Sequence, residues 1–155
     1  MTKPLVLITG GAGFLGINLC RLLLARGYEV RSLDIAPFDH AERATVDVML
    51  GDVRDSAVVA QAMRGISCVV HAASAAPPST AEEIFSTNVA GTWTVLQTAV
   101  RHRVPRFVFL SFTTGGSDLS IDYCAGTMGG DDPSTAYAAA MLWYQGYPSP
   151  APEGE

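Results

Sequence analysis

The chain of 155 residues has one lysine, Lys3, and only 10 Lys plus Arg against 15 Asp plus Glu. Its formal net charge of −5 excludes the broad basic surface that a nucleic-acid polyanion requires. What basic clustering exists (Arg101, His102, Arg103, Arg106) falls at a predicted helix end, where cations complement exposed carbonyls. Cysteine is scarce and odd in number. Cys20, Cys68 and Cys124 lack zinc-ligand spacing, so no metal site is expected, and the first two read as core residues. No apolar run approaches the length of a membrane span, and Met1–Pro4 lead into an apolar run without a signal-peptide pattern. A cytoplasmic chain with no membrane or nucleic-acid partner is therefore expected. Charged residues are also few, at 16% against 48% hydrophobic, which excludes disorder for most of the chain. At this length the chain suits a single domain.

What the chain does have is glycine in an informative place. The run Leu5-Val6-Leu7-Ile8 is followed by Thr9-Gly10-Gly11-Ala12-Gly13-Phe14-Leu15-Gly16 and then by helical periodicity. In a strand, glycine turn and helix arranged in this way, Gly10 and Gly13 bring bare backbone up to a pyrophosphate. The exposed N–H groups of the helix start favour the anion, and Gly16 permits close helix–strand packing. The dinucleotide contacts predicted in this turn are Gly10, Gly13, Phe14, Leu15 and Gly16. Asp34 ends the second strand about twenty residues after the turn, where the fingerprint places its acid. A carboxylate there accepts both ribose hydroxyls and repels a 2′-phosphate, which predicts NAD rather than NADP. Arg31 lies inside that strand and does not alter this reading. Asp52 and Val53 close the third strand beside the same crevice and are candidates to meet the adenine. Asp52 is equally suited to capping the turn before the next helix.

Apolar runs and helical stripes alternate along the chain, which predicts a parallel sheet covered on both faces. Strands are expected at 4–9, 29–33 (with Asp34 at its tip), 46–50, 67–71 and 106–110. A first helix is expected over 14–26 on a Leu15, Leu19, Leu22, Leu23 stripe. A short helix after the N-cap Asp55 follows, with Val58, Val59, Ala62 and Met63 on its apolar side. One long helix is expected over 81–102, carrying Phe85, Val89, Thr92, Leu96 and Ala99. Residues 35–45 read as a loop or short irregular helix. The fold class is α/β, a Rossmann-type doubly wound sheet of order 3-2-1-4-5. The domain is expected to run over 1–145, with a flexible proline-rich tail at 146–155.

Several separate segments resemble one family in the family's own order. They are TGGAGFLG at 9–16, Asp34, Gly51-Asp52-Val53, His71-Ala72-Ala73, Asn88-Val89-Ala90-Gly91-Thr92 and RFVFLS at 106–111. The chain is thereby similar to the extended short-chain dehydrogenase/reductases, the NAD-dependent epimerase/dehydratase family. The 3β-hydroxysteroid dehydrogenase-like and sugar-nucleotide epimerase branches look nearest. The resemblance implies NAD as cofactor and hydride transfer between nicotinamide and a secondary alcohol or ketone. It places Ala72 and Ala73 against the cofactor and has Asn88 hold the architecture beneath the active site. His71 reads as a packed strand residue.

The same resemblance implies catalysis by a Ser or Thr just after the fifth strand and by the tyrosine of Tyr-x-x-x-Lys. Here Phe112 stands at the Ser/Thr place between Ser111 and Thr113, and Tyr137 is followed at the lysine position by Met141. The catalytic candidates are therefore Tyr137, Thr113 and Ser111. An unperturbed phenol of pKa ~10 needs the lysine's charge to act as a base near neutrality, and methionine supplies none. The family's further strand and its C-terminal substrate-binding part have no recognisable counterpart. Two readings stay open: an NAD-dependent oxidoreductase or epimerase acting on a small molecule, and a catalytically silent NAD-binding module or gene fragment. An exposed sheet edge in the latter case predicts self-association into a homo-oligomer.

Overall fold

Residues 3–110 are described in a computed structural model of the chain. Five parallel strands form one sheet: β1 (Leu5–Thr9), β2 (Glu29–Asp34), β3 (Asp47–Leu50), β4 (Ile66–His71) and β5 (Phe107–Phe109). Their order is β3-β2-β1-β4-β5, as the alternation of elements predicts. β1 lies at the centre, with Thr9 level with Leu33 on one side and His71 on the other.

Alternation along β1 fills two cores. Val6 and Ile8 join Ile17, Cys20, Val30, Phe38 and Val46 on one face. Leu7 joins Leu33, Val59, Met63, Val69 and Val95 on the other. A strand buried on both faces reads as a continuous apolar run, which is what residues 5–8 are. Each such aliphatic side chain contributes roughly 1.5–3 kcal/mol by leaving water.

The helices are α1 (Phe14–Ala25), α2 (Ser56–Ala62), α3 (Ala81–Phe85) and α4 (Thr92–Arg101). Asp55 caps α2, accepting the N–H groups of Ala57 and Val58, as expected. Thr80 caps α3 through a capping box with Glu83. A short 3-10 turn at Ala41–Ala44 occupies the segment expected to be irregular. Arg31 ties three elements together: its Nε donates to Asp47 on β3 at 2.7 Å, and Nη1 donates to the carbonyls of Ala62 and Arg64 at 2.8 Å each. A cation thus serves the C-terminal carbonyls of α2, where it opposes the helix dipole.

Two helical expectations need correction. The buried face of α1 carries Gly16, Ile17 and Cys20; of the expected stripe, Leu19 and Leu23 pack partly buried against that core, whereas Leu15 and Leu22 are exposed. Gly16 must lie against the glycine turn, and this sets the rotation of the whole helix. The long helix of residues 81–102 is interrupted by a π-helical turn, Ser86–Gly91, between α3 and α4. The wider turn shifts the helical phase, so Phe85 is left 55% exposed while Thr92, Val95, Leu96 and Ala99 are buried.

Candidate functional site

Gly10 follows the last residue of β1 with φ +72°, in the left-handed region that glycine tolerates. Its N–H donates to Leu33 O at 2.9 Å, which binds the turn to β2. A Cβ at Gly10 would stand 2.8 Å from Ala73 N, so the turn and the end of β4 touch backbone to backbone. A Cβ at Gly16 would overlap the Gly10 carbonyl oxygen and lie 2.6 Å from Gly11 Cα. The expected close packing is thus realised within the glycine turn itself.

Gly13 begins α1 and provides no side-chain cap, and the first turn of α1 holds no acid. By contrast, α2 and α3 are each capped by their own side chain. Phe14 is 89% exposed at this rim, and Leu15 is exposed beside it.

Asp34 closes the other side of the turn. Its Oδ2 accepts the Ala12 N–H and its Oδ1 accepts the Ala36 N–H, both at 2.9 Å. A carboxylate has about four lone-pair directions, so two remain for a ligand. His40 Nε2 lies 3.3 Å from the Ala12 carbonyl oxygen and grips the same peptide from the opposite end. Behind the turn the buried Ser32 hydroxyl packs against Gly11 and has no hydrogen-bond partner among the described residues.

Asp52 and Val53 differ in their surroundings. Asp52 accepts Nε (3.0 Å) and Nη2 (2.6 Å) of Arg54, and this guanidinium holds its carboxyl below the usual range. Asp52 also accepts the Arg54 N–H at 2.8 Å, so it does cap its turn. The Val53 side chain lies in the core with Leu7 and Val59.

At the end of β4, Ala72 N–H donates to Thr9 Oγ1 at 3.2 Å and Ala73 N–H at 3.3 Å. Asn88, in the π-helical turn, grips Ala75 at two points. It donates from Nδ2 to Ala75 O at 2.9 Å and accepts Ala75 N–H at 2.8 Å. His71 is fully buried, and desolvation pushes its imidazole down to about 4. Its ring stacks on Phe109 with centroids 5.8 Å apart, and its two nitrogens meet Thr9 and Thr92. Thr9, Ala12, His40, Ala75 and Thr92 carry the framework without having been singled out as site residues. Their partners lie far away in the chain, 62 residues for Thr9 and His71, where spacing offers no signal. Ser111, Thr113 and Tyr137, the catalytic candidates, lie outside the described residues, as do the last part of the expected domain (111–145) and the whole expected tail (146–155).

A parallel, doubly wound sheet with a glycine turn at the end of its central strand defines the class: a dinucleotide-fold domain. Residues 6–142 match the family model "NAD dependent epimerase/dehydratase family", and the chain belongs to this family. It is similar to the 3 beta-hydroxysteroid dehydrogenase/Delta 5-->4-isomerase of Mycobacterium tuberculosis, with 36% identity over 126 residues, 74% of this chain and 34% of that protein. The human sterol-4-alpha-carboxylate 3-dehydrogenase, decarboxylating, is 36% identical over 67% of this chain and 28% of its own length. The chain therefore spans about a third of the curated relatives it matches. Among solved structures, a short-chain dehydrogenase/reductase superfamily protein of Agrobacterium tumefaciens with bound NAD superposes with TM-score 0.62 at 30% identity, over 68% of this chain and 31% of that one. The Bordetella bronchiseptica enzyme WbmG, in complex with NAD, gives TM-score 0.62 at 32% identity, over 70% of this chain and 37% of that one.

Proposed function

We propose that this chain supplies the NAD-binding part of an NAD-dependent oxidoreductase that exchanges hydride with a secondary alcohol or ketone. The observation that carries the reading is the uncapped, acid-free start of α1, set at the end of the central strand and approached by glycine backbone. The pyrophosphate is assigned to the N–H groups at Phe14, Leu15 and Gly16, with the Gly10 and Gly13 backbone close beside it and the Gly13 N–H given to the Gly10 carbonyl at 3.2 Å. The adenosine ribose is assigned to Asp34, and the adenine to the Asp52–Val53 backbone. Ala72, Ala73 and Asn88 line the nicotinamide side. Bound NAD supplies the hydride acceptor. Tyr137, with Ser111 or Thr113, moves the substrate proton.

Hydroxysteroid-like alcohols are the proposed substrate class, supported by the steroid and sterol dehydrogenases among the similar proteins. Sugar nucleotides are the competing class, supported by the structural likeness to WbmG, also solved with NAD and UDP. A catalytically silent NAD-binding module is the second reading, favoured by Met141 at the lysine position. One domain over 1–145 in a cytoplasmic setting completes the proposal.

Calorimetric titration of the full chain with NAD⁺ and NADP⁺ tests it. NAD⁺ is expected to bind more tightly, and absence of binding by either overturns the reading. An assay of NADH formation with both substrate classes then separates enzyme from module, since binding without turnover selects the module. Turnover that survives Tyr137→Phe overturns the catalytic assignment.

A further inference from the structure

A line of buried hydrogen bonds crosses from β1 to α4 beneath the site, and only one arrangement of protons satisfies it. Thr92 Oγ1 donates its single proton to the Asn88 carbonyl at 2.7 Å. Its contact with His71 Nε2 at 2.8 Å must therefore be an N–H donated by the imidazole. A neutral ring protonated on Nε2 has a bare Nδ1, which accepts the Thr9 hydroxyl at 2.6 Å. With its proton so used, Thr9 Oγ1 offers its lone pairs to the N–H groups of Ala72 and Ala73. Every side-chain donor along the line is spent, and each of its side-chain acceptor atoms receives at least one hydrogen bond. Thr9, His71 and Thr92 have at most 1% of their surface exposed, so no water competes.

The line joins the two sides of the cleft. Thr9 precedes Gly10 of the pyrophosphate turn, while Thr92 holds the π-helical turn whose Asn88 fixes Ala75. We propose that His71 is a positioning residue that keeps the pyrophosphate turn and the nicotinamide-side segment Ala72–Ala75 in fixed register. Phe107 and Phe109 hold the plane of its ring, with centroids 6.2 and 5.8 Å away. The inference rests on the cofactor reading above, and it adds that affinity for a ligand spanning both sides depends on a buried group that the ligand never touches.

The test compares NAD⁺, which spans the cleft, with AMP, which occupies only the adenosine side, on the full chain. His71→Phe preserves the ring's packing and removes both hydrogen bonds. Thr92→Val cuts the line without altering the histidine. Each is expected to weaken NAD⁺ about tenfold, the scale of one lost buried hydrogen bond, while leaving AMP within about twofold. His71→Gln, which keeps one donor and one acceptor, restores part of the NAD⁺ affinity. The nitrogen-15 spectrum of the wild-type imidazole is expected to show a single Nε2–H tautomer at neutral pH, whether or not ligand binds. Unchanged NAD⁺ affinity in Thr92→Val, equal losses for NAD⁺ and AMP, or an Nδ1–H tautomer overturns the proposal. Failure of the wild type to bind NAD⁺ overturns the cofactor reading first, and is distinguished from these by needing no variant.

Discussion

The Asp34 carboxylate and the Ala12 N–H are joined at 2.9 Å, so the acid at the tip of β2 braces the glycine turn from the side. On the proposed cofactor reading its part is double: it offers acceptors to a ribose and keeps the turn in shape before any ligand arrives. Asp34→Ala is expected to weaken NAD⁺ roughly tenfold or more, the loss of charge-assisted hydrogen bonds, and to weaken NADP⁺ less because a repelling charge is also gone. Titration of both cofactors against the variant measures the ratio. A ratio equal to that of the wild type overturns the role given to Asp34.

Gly16→Ala sets two effects of opposite sign against each other. Alanine in a helix gains about 1 kcal/mol of propensity over glycine. The new methyl meets the Gly10 carbonyl and Gly11 Cα, which are backbone and cannot swing aside, and overpacking of this kind costs roughly 1–3 kcal/mol. Net destabilisation in a urea melt, accompanied by loss of NAD⁺ binding, is the expected outcome.

Ser32→Ala is expected to stabilise. The hydroxyl is buried with no partner among the described residues, a state that costs roughly 1–3 kcal/mol, and alanine removes it while keeping the β-carbon behind Gly11. A gain of about 1 kcal/mol in chemical denaturation is anticipated, reduced from the full penalty by the small void left behind. A loss of stability would show that the hydroxyl has a function in the fold.

Burial of His71 makes stability depend on pH. Unfolded, the imidazole takes up a proton near its ordinary 6.5; folded, only at about 4. Between these values the unfolded chain binds more protons, so stability falls as pH drops through 6.5, and the loss is complete below 4. The full effect is about 3 kcal/mol. Urea melts of the wild type and His71→Gln from pH 7.5 to 4 isolate it, because the variant keeps the carboxylate contributions and lacks the histidine's. Parallel curves would refute it.

The course of the chain through the sheet was legible because burial on both faces writes apolar runs at 5–8 and 66–70, and because Asp55 is a cap by chemistry alone. The glycine turn was legible for the same reason, its order of strand, turn and helix being local. The rotation of α1 was legible only in part, since Leu19 and Leu23 pack on the core as their spacing predicts while the contact at Gly16 leaves Leu15 and Leu22 exposed. The π-helical turn was hidden because one additional residue in a turn leaves no mark in an apolar pattern already broken by Ser86, Thr87 and Asn88. His71 could be placed in the core, but not paired, since Thr9 and Thr92 stand 62 and 21 residues away. Asp52 could be read either as ligand contact or as cap, and Arg54 shows that it does at least the second.

The bare first turn of α1 also bears on how the protein is handled. A helix start that brings no hydroxyl or acid of its own does not distinguish a diphosphate from other tetrahedral oxyanions by charge. If the proposed cofactor seat is right, phosphate and sulfate in a buffer are expected to compete for it by mass action, lowering apparent cofactor affinity while raising the melting temperature. Measurements in a buffer free of oxyanions report the intrinsic affinity, and the difference between the two media reads out how much of the binding belongs to that helix.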